Sequence, residues 1–597
     1  MRALTGIETD RLVEEKKRGI SIDLGFAHLM LPNSRRIAIV DVPGHERFIK
    51  NMLAGTGGID AVMLVVAADE GIKPQTREHF DICRLLGISN GLVVLTKADM
   101  VNGARLRETS AQVAEFCQGT FLENAPVIPV SAHSGAGLET LRIELGRAVE
   151  KLKPRSQEGF ARLPIDRCFT MQGFGTVVTG TLWSGSLETG EMVEIHPLAE
   201  KARIRGLQVH NQPVTMVRAG QRTAVNLVGI EVSSIRRGCC VATKEVFDPV
   251  RLFDSAIEWI RPEFSTRTRQ ELHLHLGCVE TMAEVRLIQS LDGRSTLARI
   301  SAREPVLALP HDRFVLRSAN ATVAGGSVID PFPPVRLKRI KKRQRLANLL
   351  SGNAGARLEL LASESGQGCR LTDLVRSTGW TPDKIRKLAA ENPNLALFEA
   401  QQRVISLGWL NQKRAEVTSW LANFHAAHPE NPGAPIHQIR SAVLRGIQPE
   451  VSEVIIQEIE QVKVSGDVVA LASHGVRISP EELRLRENLE RIYWDAAFQP
   501  PTIKEALAAV GREKAAANQL EALVKNKRLV RVSPELLFHA DVLRHVRDSL
   551  AKHKGKQFSV PEFKDWVKIS RKFAIPLLEL LDREHVTQRT GDLRVVL

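Results

Sequence analysis

Nowhere in its 597 residues does the chain carry the pattern GxxxxGK[ST]; the pair Gly555-Lys556 is followed by Gln557 and has no glycine at the earlier position. That pattern builds a loop whose backbone N–H groups cradle nucleotide phosphates, so the chain as written does not contain that device. Cysteine is scarce: seven residues, no CxxC, and one adjacent pair, Cys239-Cys240. Reduced thiols in a cytoplasmic protein account for such usage better than a disulfide framework. No apolar run reaches the length of a membrane span, so no membrane is expected. The opening "MRALTGIETDRLVEEKKRG" lacks the apolar stretch of a secretion signal, and its acidic residues argue against a transit peptide. Aromatic residues make up 5%, with Tyr493 the single tyrosine, to which no role is attached.

What is present is an ordinary globular composition, 43% hydrophobic and 25% charged, in a chain too long for one core. Lysine and arginine number 82 against 68 acidic residues, a net charge of +14, and the pI lies near 9.6. An anionic partner is expected, nucleic acid first.

Over the first 150 residues, short apolar runs alternate with amphipathic helical segments. "RRIAIVDV", "AVMLVVAAD", "GLVVLTKAD" and "APVIPVSA" have the look of strands covered on both faces, and "PQTREHFDICRLLG" and "ARLRETSAQVAEFCQ" of the helices between them. The alternation predicts a doubly wound parallel sheet. From about residue 160 glycine-punctuated short strands predict a compact β-barrel, and a second β-rich stretch runs to "GGSVIDP". The Pro-rich and then basic segment "PFPPVRLKRIKKRQRL" (331–346) marks a domain boundary. Beyond it, helical pairs run into short two-strand endings four times, at a spacing of roughly 55–70 residues, which fits winged helices.

Four short motifs sit at the C-terminal ends of the predicted strands. "DVPGH" supplies Asp41 and Gly44, a metal-holding carboxylate and an N–H for a γ-phosphate, and His45 follows to orient a water. "RGISI" upstream offers the Ser21 hydroxyl to Mg²⁺, with Ile20 closing an apolar gate. "TKAD" supplies Thr96, Lys97 and Asp99; the Asp99 carboxylate can accept two hydrogen bonds from the edge of guanine that adenine does not offer. "SA" (Ser131, Ala132) suits a backbone contact to the base oxygen. Singly each is a common pattern. Their order and placement point to a guanine-nucleotide switch.

With these residues the sequence resembles the selenocysteine-specific elongation factors, translational GTPases related to elongation factor Tu. The likeness rests on "RGISIDLGFAHL", "DVPGHERFIKNMLAGTGGIDAVMLVVAADEGIKPQTREH", "TKAD" with its threonine, "DRCFTMQGFGTVVTGT", "AGQRTAVNL" and "ISRKFAIPLLELLDREHVTQRTGDLRVV". It implies a multidomain fold: an α/β P-loop-type GTPase domain (1–155), two β-barrel domains (156–248 and 249–334), and an array of winged helices (335–408, 409–479, 480–540 and 541–597), the last binding RNA. Implied cofactors are GTP and Mg²⁺. Implied partners are selenocysteyl-tRNA, a hairpin in the messenger RNA and the ribosome, with the factor a monomer in the cytoplasm.

The resemblance also puts an aminoacyl pocket at Asp166, Arg167 and Arg237, where a cationic site would tell an ionised selenol from serine; Arg236 competes with Arg237 for that role. It puts RNA contacts at Lys556, Ser570, Arg571, Lys572 and Arg589, suited to a hairpin loop or bulge. Two departures stand out. Ser21 replaces the family's threonine and keeps its hydroxyl. The phosphate loop and the central strand before it are missing, so a truncated or misassigned start is expected, and a chain beginning at Met1 is expected to bind GTP poorly or not at all. A non-catalytic RNA-binding adaptor with a decayed GTPase domain, or another tRNA-carrying factor, are the alternatives.

Overall fold

The computed structural model describes residues 1–10, 14–15, 21–152, 155, 157–173, 175–475, 480–511 and 513–597. The chain forms two compact units, Met1–Gln412 and Lys413–Leu597. Among the described residues no helix is long and apolar enough to cross a membrane.

The first unit opens with the α/β domain. Three strands, β3 (Val62–Ala67), β4 (Gly91–Thr96) and β5 (Val127–Pro129), form a parallel sheet in the order β3-β4-β5. The apolar run of β4 explains its central place: Leu92 and Val94 join one buried cluster with Ile128, Val130 and Leu141, whereas Val93 and Leu95 join another with Phe80, Val113 and Cys117. Both faces are thus covered by helices, as a doubly wound sheet requires. The expected helices occupy Pro74–Leu85 and Gly103–Cys117, and a further helix runs over Leu138–Glu150.

One expectation needs correction. The strand ending in the Asp-x-x-Gly motif, β2 (Arg36–Asp41), is not part of the parallel sheet. It pairs antiparallel with a strand the sequence reading did not mark, β1 (Gly25–Met30), in the register Gly25 opposite Asp41. Among the described residues no ladder joins β2 to β3. Apolar packing still does so: Leu29 of β1 and Ile37 and Ile39 of β2 lie in the cluster that contains Leu92, Val94 and Met63. Side-chain continuity without backbone pairing leaves one edge of β2 and one edge of β3 open, and Val65 of β3 is 50% exposed.

The second domain is an eight-stranded antiparallel sheet between Arg162 and Thr243 with a two-stranded ribbon beside it, curled around one core that includes Leu163, Val178, Ile195, Ile204, Val225 and Val241. The third is a closed barrel of six strands between Val250 and Asp330, filled by Phe253, Trp259, Leu274, Val285, Ile300 and Phe314. The helix Arg339–Ser351 packs Leu346 and Leu349 on barrel residues Ile288, Leu297 and Ile329. A winged helix follows, with helices Ala354–Glu364, Leu371–Thr378 and Pro382–Glu391 and a sheet in which Arg403–Ser406 lies between Cys369–Arg370 and Leu395–Phe398.

The second unit repeats that plan. Its hairpins are Val462–Ser465 with Val468–Leu471, Leu529–Ser533 with Leu536–His539, and Thr587–Thr590 with Leu593–Val596. The last copy packs Phe558, Phe563, Phe573, Leu577 and Leu581 between its helices and wing.

Candidate functional site

Asp41 ends β2 opposite Gly25, and the absence of a side chain at Gly25 matters here. A Cβ on that glycine would lie 2.6 Å from the Thr9 Cβ. The close approach lets the Thr9 hydroxyl donate to Asp41 Oδ2 at 2.7 Å. The next residue, Asp10, accepts from the Ser21 hydroxyl at 2.9 Å through Oδ1. Ser21 and Asp41, twenty residues apart in sequence, are therefore tied to adjacent positions of one segment. Glu15, 3% exposed, accepts the N–H groups of Ile22 (3.0 Å) and Asp23 (3.1 Å). The Asn51 side chain donates to the Ile22 carbonyl at 2.9 Å. A hydroxyl and a carboxylate in an all-oxygen setting fit a hard cation such as Mg²⁺, which takes few protein ligands and completes its shell with phosphate oxygens and water. Ile20 lies outside the described residues.

Beyond Asp41 the chain turns into a short 3₁₀ helix, Glu46–Phe48. Gly44 is exposed, and a Cβ there would meet nothing within 4 Å. The half-buried His45 accepts the Arg47 backbone N–H at Nδ1 (3.3 Å) and lies 5.9 Å from the Phe48 ring. A neutral imidazole accepting at Nδ1 carries its proton on Nε2. That nitrogen can donate to a water oxygen, which suits positioning a water better than deprotonating it.

The parallel ladder places the residues expected to recognise the base. Leu95 stands opposite Pro129, and the Ala98 N–H donates to the Val130 carbonyl at 3.2 Å, so "TKAD" and "SA" emerge side by side from neighbouring strands. Ser131 is buried, and its Oγ accepts the Ser134 N–H at 3.0 Å, closing the turn that exposes Ala132. Thr96 donates to the Val66 carbonyl at 3.4 Å. Lys97 adopts a left-handed backbone (φ 57°) and sends its ammonium to Asp69 (3.0 Å) and Glu70 (3.1 Å). The two carboxylates raise the Lys97 pKa above its ordinary value, so it stays charged. Asp99 is exposed, its carboxylate open to solvent.

The three residues expected to form an aminoacyl pocket are sorted by their partners. Asp166 is buried and receives Arg222, whose Nη2 lies 3.0 Å from Oδ1, and the Thr179 hydroxyl at 2.8 Å. Arg222 also stacks on Phe26, 3.4 Å from guanidinium carbon to ring centroid. Arg167 donates to Asp23 (2.7 Å) and to the Leu24 carbonyl (2.6 Å), directly after the Ser21 segment. Arg237 donates to Asn51 Oδ1 (3.0 Å) and to the carbonyls of Lys50 (3.3 Å) and Asn51 (3.2 Å). Its neighbour Arg236 pairs instead with Glu304 on the barrel. The charges separate cleanly: Asp166 is neutralised by Arg222 and Arg167 by Asp23, whereas all three acceptors of Arg237 are uncharged. Sequence reasoning missed Thr9, Asp10, Asn51 and Arg222. Arg222 stands inside the quoted stretch "AGQRTAVNL", but nothing in its spacing marks it as the partner of a residue 56 positions earlier.

At the far end of the chain the last winged helix carries the expected RNA contacts. Lys556 precedes the short strand Gln557–Phe558, and its N–H donates to His553. Ser570 caps the helix Arg571–Arg583 with extended backbone and no side-chain cap, leaving its hydroxyl unused at that end. Arg571 and Lys572 are exposed in the first turn, Lys572 with its ammonium 5.4 Å from the Phe573 ring. Arg589 lies on the wing, its Nε donating to Gly591 at 3.2 Å.

Comparison with known proteins gives a consistent result. The elongation factor Tu GTP binding domain matches residues 2–154, and elongation factor Tu domain 2 matches 175–242. The β-barrel domain of selenocysteine-specific elongation factor matches 255–335, and the winged helix of elongation factor SelB matches 549–596. The selenocysteine-specific elongation factor of Desulfomicrobium baculatum is 36% identical over an alignment covering 100% of this chain and 97% of that protein. Its counterpart from Escherichia coli (strain K12) is 32% identical over 99% of this chain and 95% of that one. A crystal structure of a bacterial selenocysteine-specific elongation factor superimposes with a TM-score of 0.69 at 26% identity, covering 100% of this chain and 96% of its own.

Proposed function

Because the chain belongs to the selenocysteine-specific elongation factors, we propose that it binds selenocysteyl-tRNA together with GTP and delivers it to the ribosome at UGA codons marked by a messenger-RNA hairpin, hydrolysis triggering release. That it is a translation elongation factor with a GTPase domain follows from the family itself. In the proposed cycle Asp99 accepts hydrogen bonds from the guanine edge, Lys97 flanks the base, Thr96 braces the strand end, and the Ser131-Ala132 backbone meets the base oxygen. Ser21 and Asp41 would hold Mg²⁺, which when bound would neutralise phosphate charge. The Gly44 N–H faces the γ-phosphate, His45 orients the water through Nε2–H, and Ile20 forms the apolar gate. Lys556, Ser570, Arg571, Lys572 and Arg589 grip the hairpin. The factor works as a cytoplasmic monomer.

The observation that carries the selenocysteine reading is the state of Arg237. It is a guanidinium whose three acceptors carry no charge, one domain away from the nucleotide motifs and bonded to the helix that follows them. A selenol is mostly ionised near neutral pH and seryl oxygen is not, so a cation without a carboxylate partner among the described residues favours the first. The experiment is read-through in a translation system reconstituted without its own selenocysteine factor. Adding this chain, selenocysteyl-tRNA and a messenger with UGA ahead of the hairpin should yield full-length product at GTP concentrations high enough to offset the weak nucleotide binding expected without a GxxxxGK[ST] loop; product that stops at UGA at every concentration of chain and GTP would contradict the proposal.

A further inference from the structure

The segment joining the barrel to the first winged helix holds eight lysines and arginines and no acidic residue between 331 and 358. The structure divides these cations into two sets. Four face inward and are all engaged. Arg345 donates to Asp330 (2.6 Å) and Glu364 (2.6 Å), and Arg357 to the carbonyls of Ile329 (2.8 Å) and Leu349 (3.2 Å). Arg343 donates to the Ile288 carbonyl (3.3 Å), and Lys342 lies 3.8 Å from Asp254. These contacts fix the helix Arg339–Ser351 on the barrel. The side chains of the other four, Arg336, Lys338, Arg339 and Lys341, are exposed and have no hydrogen-bond or ion-pair partner among the described residues.

These four crowd the start of a helix whose first turn holds no acid and whose N-cap, Lys338, makes no side-chain cap. A helix start already carries the positive end of the dipole, so cations there raise the local potential instead of relieving it. Solvation alone accounts for one exposed lysine. It does not account for four that escape pairing in a segment where every other cation finds a partner. Val335 just before them and Ile340 among them are 81% and 78% exposed, so two apolar side chains of this stretch also lack a cover.

We propose that Arg336, Lys338, Arg339 and Lys341 form a contact surface for the phosphate backbone of a double-helical stem of the carried tRNA. Charge complementarity selects a polyanion. The one aromatic side chain between 331 and 358, Phe332, precedes the four cations and none lies among them for an unpaired base to stack on, so the surface reads backbone and not sequence. It belongs to the same compact unit as Asp166, Arg167 and Arg237, which favours the RNA whose aminoacyl end those residues would hold over an RNA bound at the C-terminal winged helix. The inference rests on the tRNA-carrier reading and adds to it a second point of attachment that is blind to the amino acid.

The test uses the full chain and a variant carrying Arg336→Gln, Lys338→Gln, Arg339→Gln and Lys341→Gln. Equilibrium binding is measured for selenocysteyl-tRNA, for seryl-tRNA of the same body, and for the messenger hairpin, between about 50 and 200 mM salt. The variant should lose affinity for both tRNAs by the same factor, and the slope of log K against log salt should shrink by about 4, one per phosphate contact. Hairpin binding should be unchanged. Arg336→Lys with Arg339→Lys should keep the wild-type slope. Unchanged tRNA slopes in the glutamine variant, a loss confined to the hairpin, a loss of slope in the lysine variant, or no tRNA binding by the wild type at the lowest salt would each overturn the proposal. Equal wild-type affinity for the two tRNAs would sink the selenocysteine reading instead, and the slopes would still be readable.

Discussion

At the scale of single residues, the account turns on which charges have partners. Arg237→Gln removes the guanidinium that, among the described residues, meets only neutral acceptors, so selectivity for selenocysteyl-tRNA over seryl-tRNA should drop by about 10- to 100-fold, roughly 1.4 to 2.7 kcal/mol. Arg236→Gln, on the Glu304 side, should leave the ratio in place. Competition binding with the two charged tRNAs reads both variants. Gly25→Ala puts a methyl 2.6 Å from Thr9 Cβ, which cannot rotate away, and separates Thr9 from Asp41. Thermal or denaturant unfolding should show a cost of about 1–3 kcal/mol. His275 is 5% exposed, and burial, together with Arg317, His273, Arg237 and Lys50, pushes its pKa from 6.5 down to about 3. Because the folded value lies below the unfolded one, the unfolded chain binds the extra proton as pH falls. His275 therefore costs nothing above about pH 6.5 and should lower stability by up to about 1.4 kcal/mol per unit between there and about pH 3. His275→Gln should remove that share of the acid limb in urea titrations at stepped pH. The sequence showed Asp166, Arg167 and Arg237 only through family likeness; it could not show that Arg222 would claim Asp166, because such pairing depends on strand register set far away.

At the scale of elements, the parallel strands were legible because β4 is apolar on both faces, and the helices because Pro74 and Asn102 mark their starts. The antiparallel partnership of β1 and β2 was not legible. The run "LGFAHLM" alternates only weakly, and an edge pairing leaves little trace in composition. Since among the described residues β2 is laddered on one side only, its amides that face away from β1 should exchange by local opening, orders of magnitude faster than those of Val93, Val94 and Leu95 in the doubly paired β4. Hydrogen exchange read by mass spectrometry or NMR separates the two; equal protection would show that β2 has a partner on its second edge. The basic joint makes a parallel case. Its lysines and arginines read as a single run, and only the fold reveals that Arg345 is an anchor held between Asp330 and Glu364. Asp330→Asn leaves that guanidinium buried with its charge half met and should cost about 3–5 kcal/mol in unfolding measurements.

At the scale of the whole molecule, the recurrence of helices ending in a hairpin was visible in "NLALFEAQQRVISL" and its three successors, and each of the four does end on an antiparallel strand pair. The recurrence was legible because a wing needs two short β-branched runs around a turn, whatever the surrounding helices contain. What sequence could not give is how the domains of the first unit lock: Arg167 and Arg237 reach from the second domain to Asp23, Leu24, Lys50 and Asn51, all within the segments that flank the nucleotide motifs. A residue that holds both the aminoacyl group and a nucleotide-responsive segment would let each site sense the other. The most direct measurement is the affinity of the full chain, with GTP, for selenocysteyl-tRNA against seryl-tRNA of identical sequence. A preference of about 100-fold or more for the selenocysteyl form, close to 2.7 kcal/mol, is the predicted result. Equal affinity for the two would contradict it.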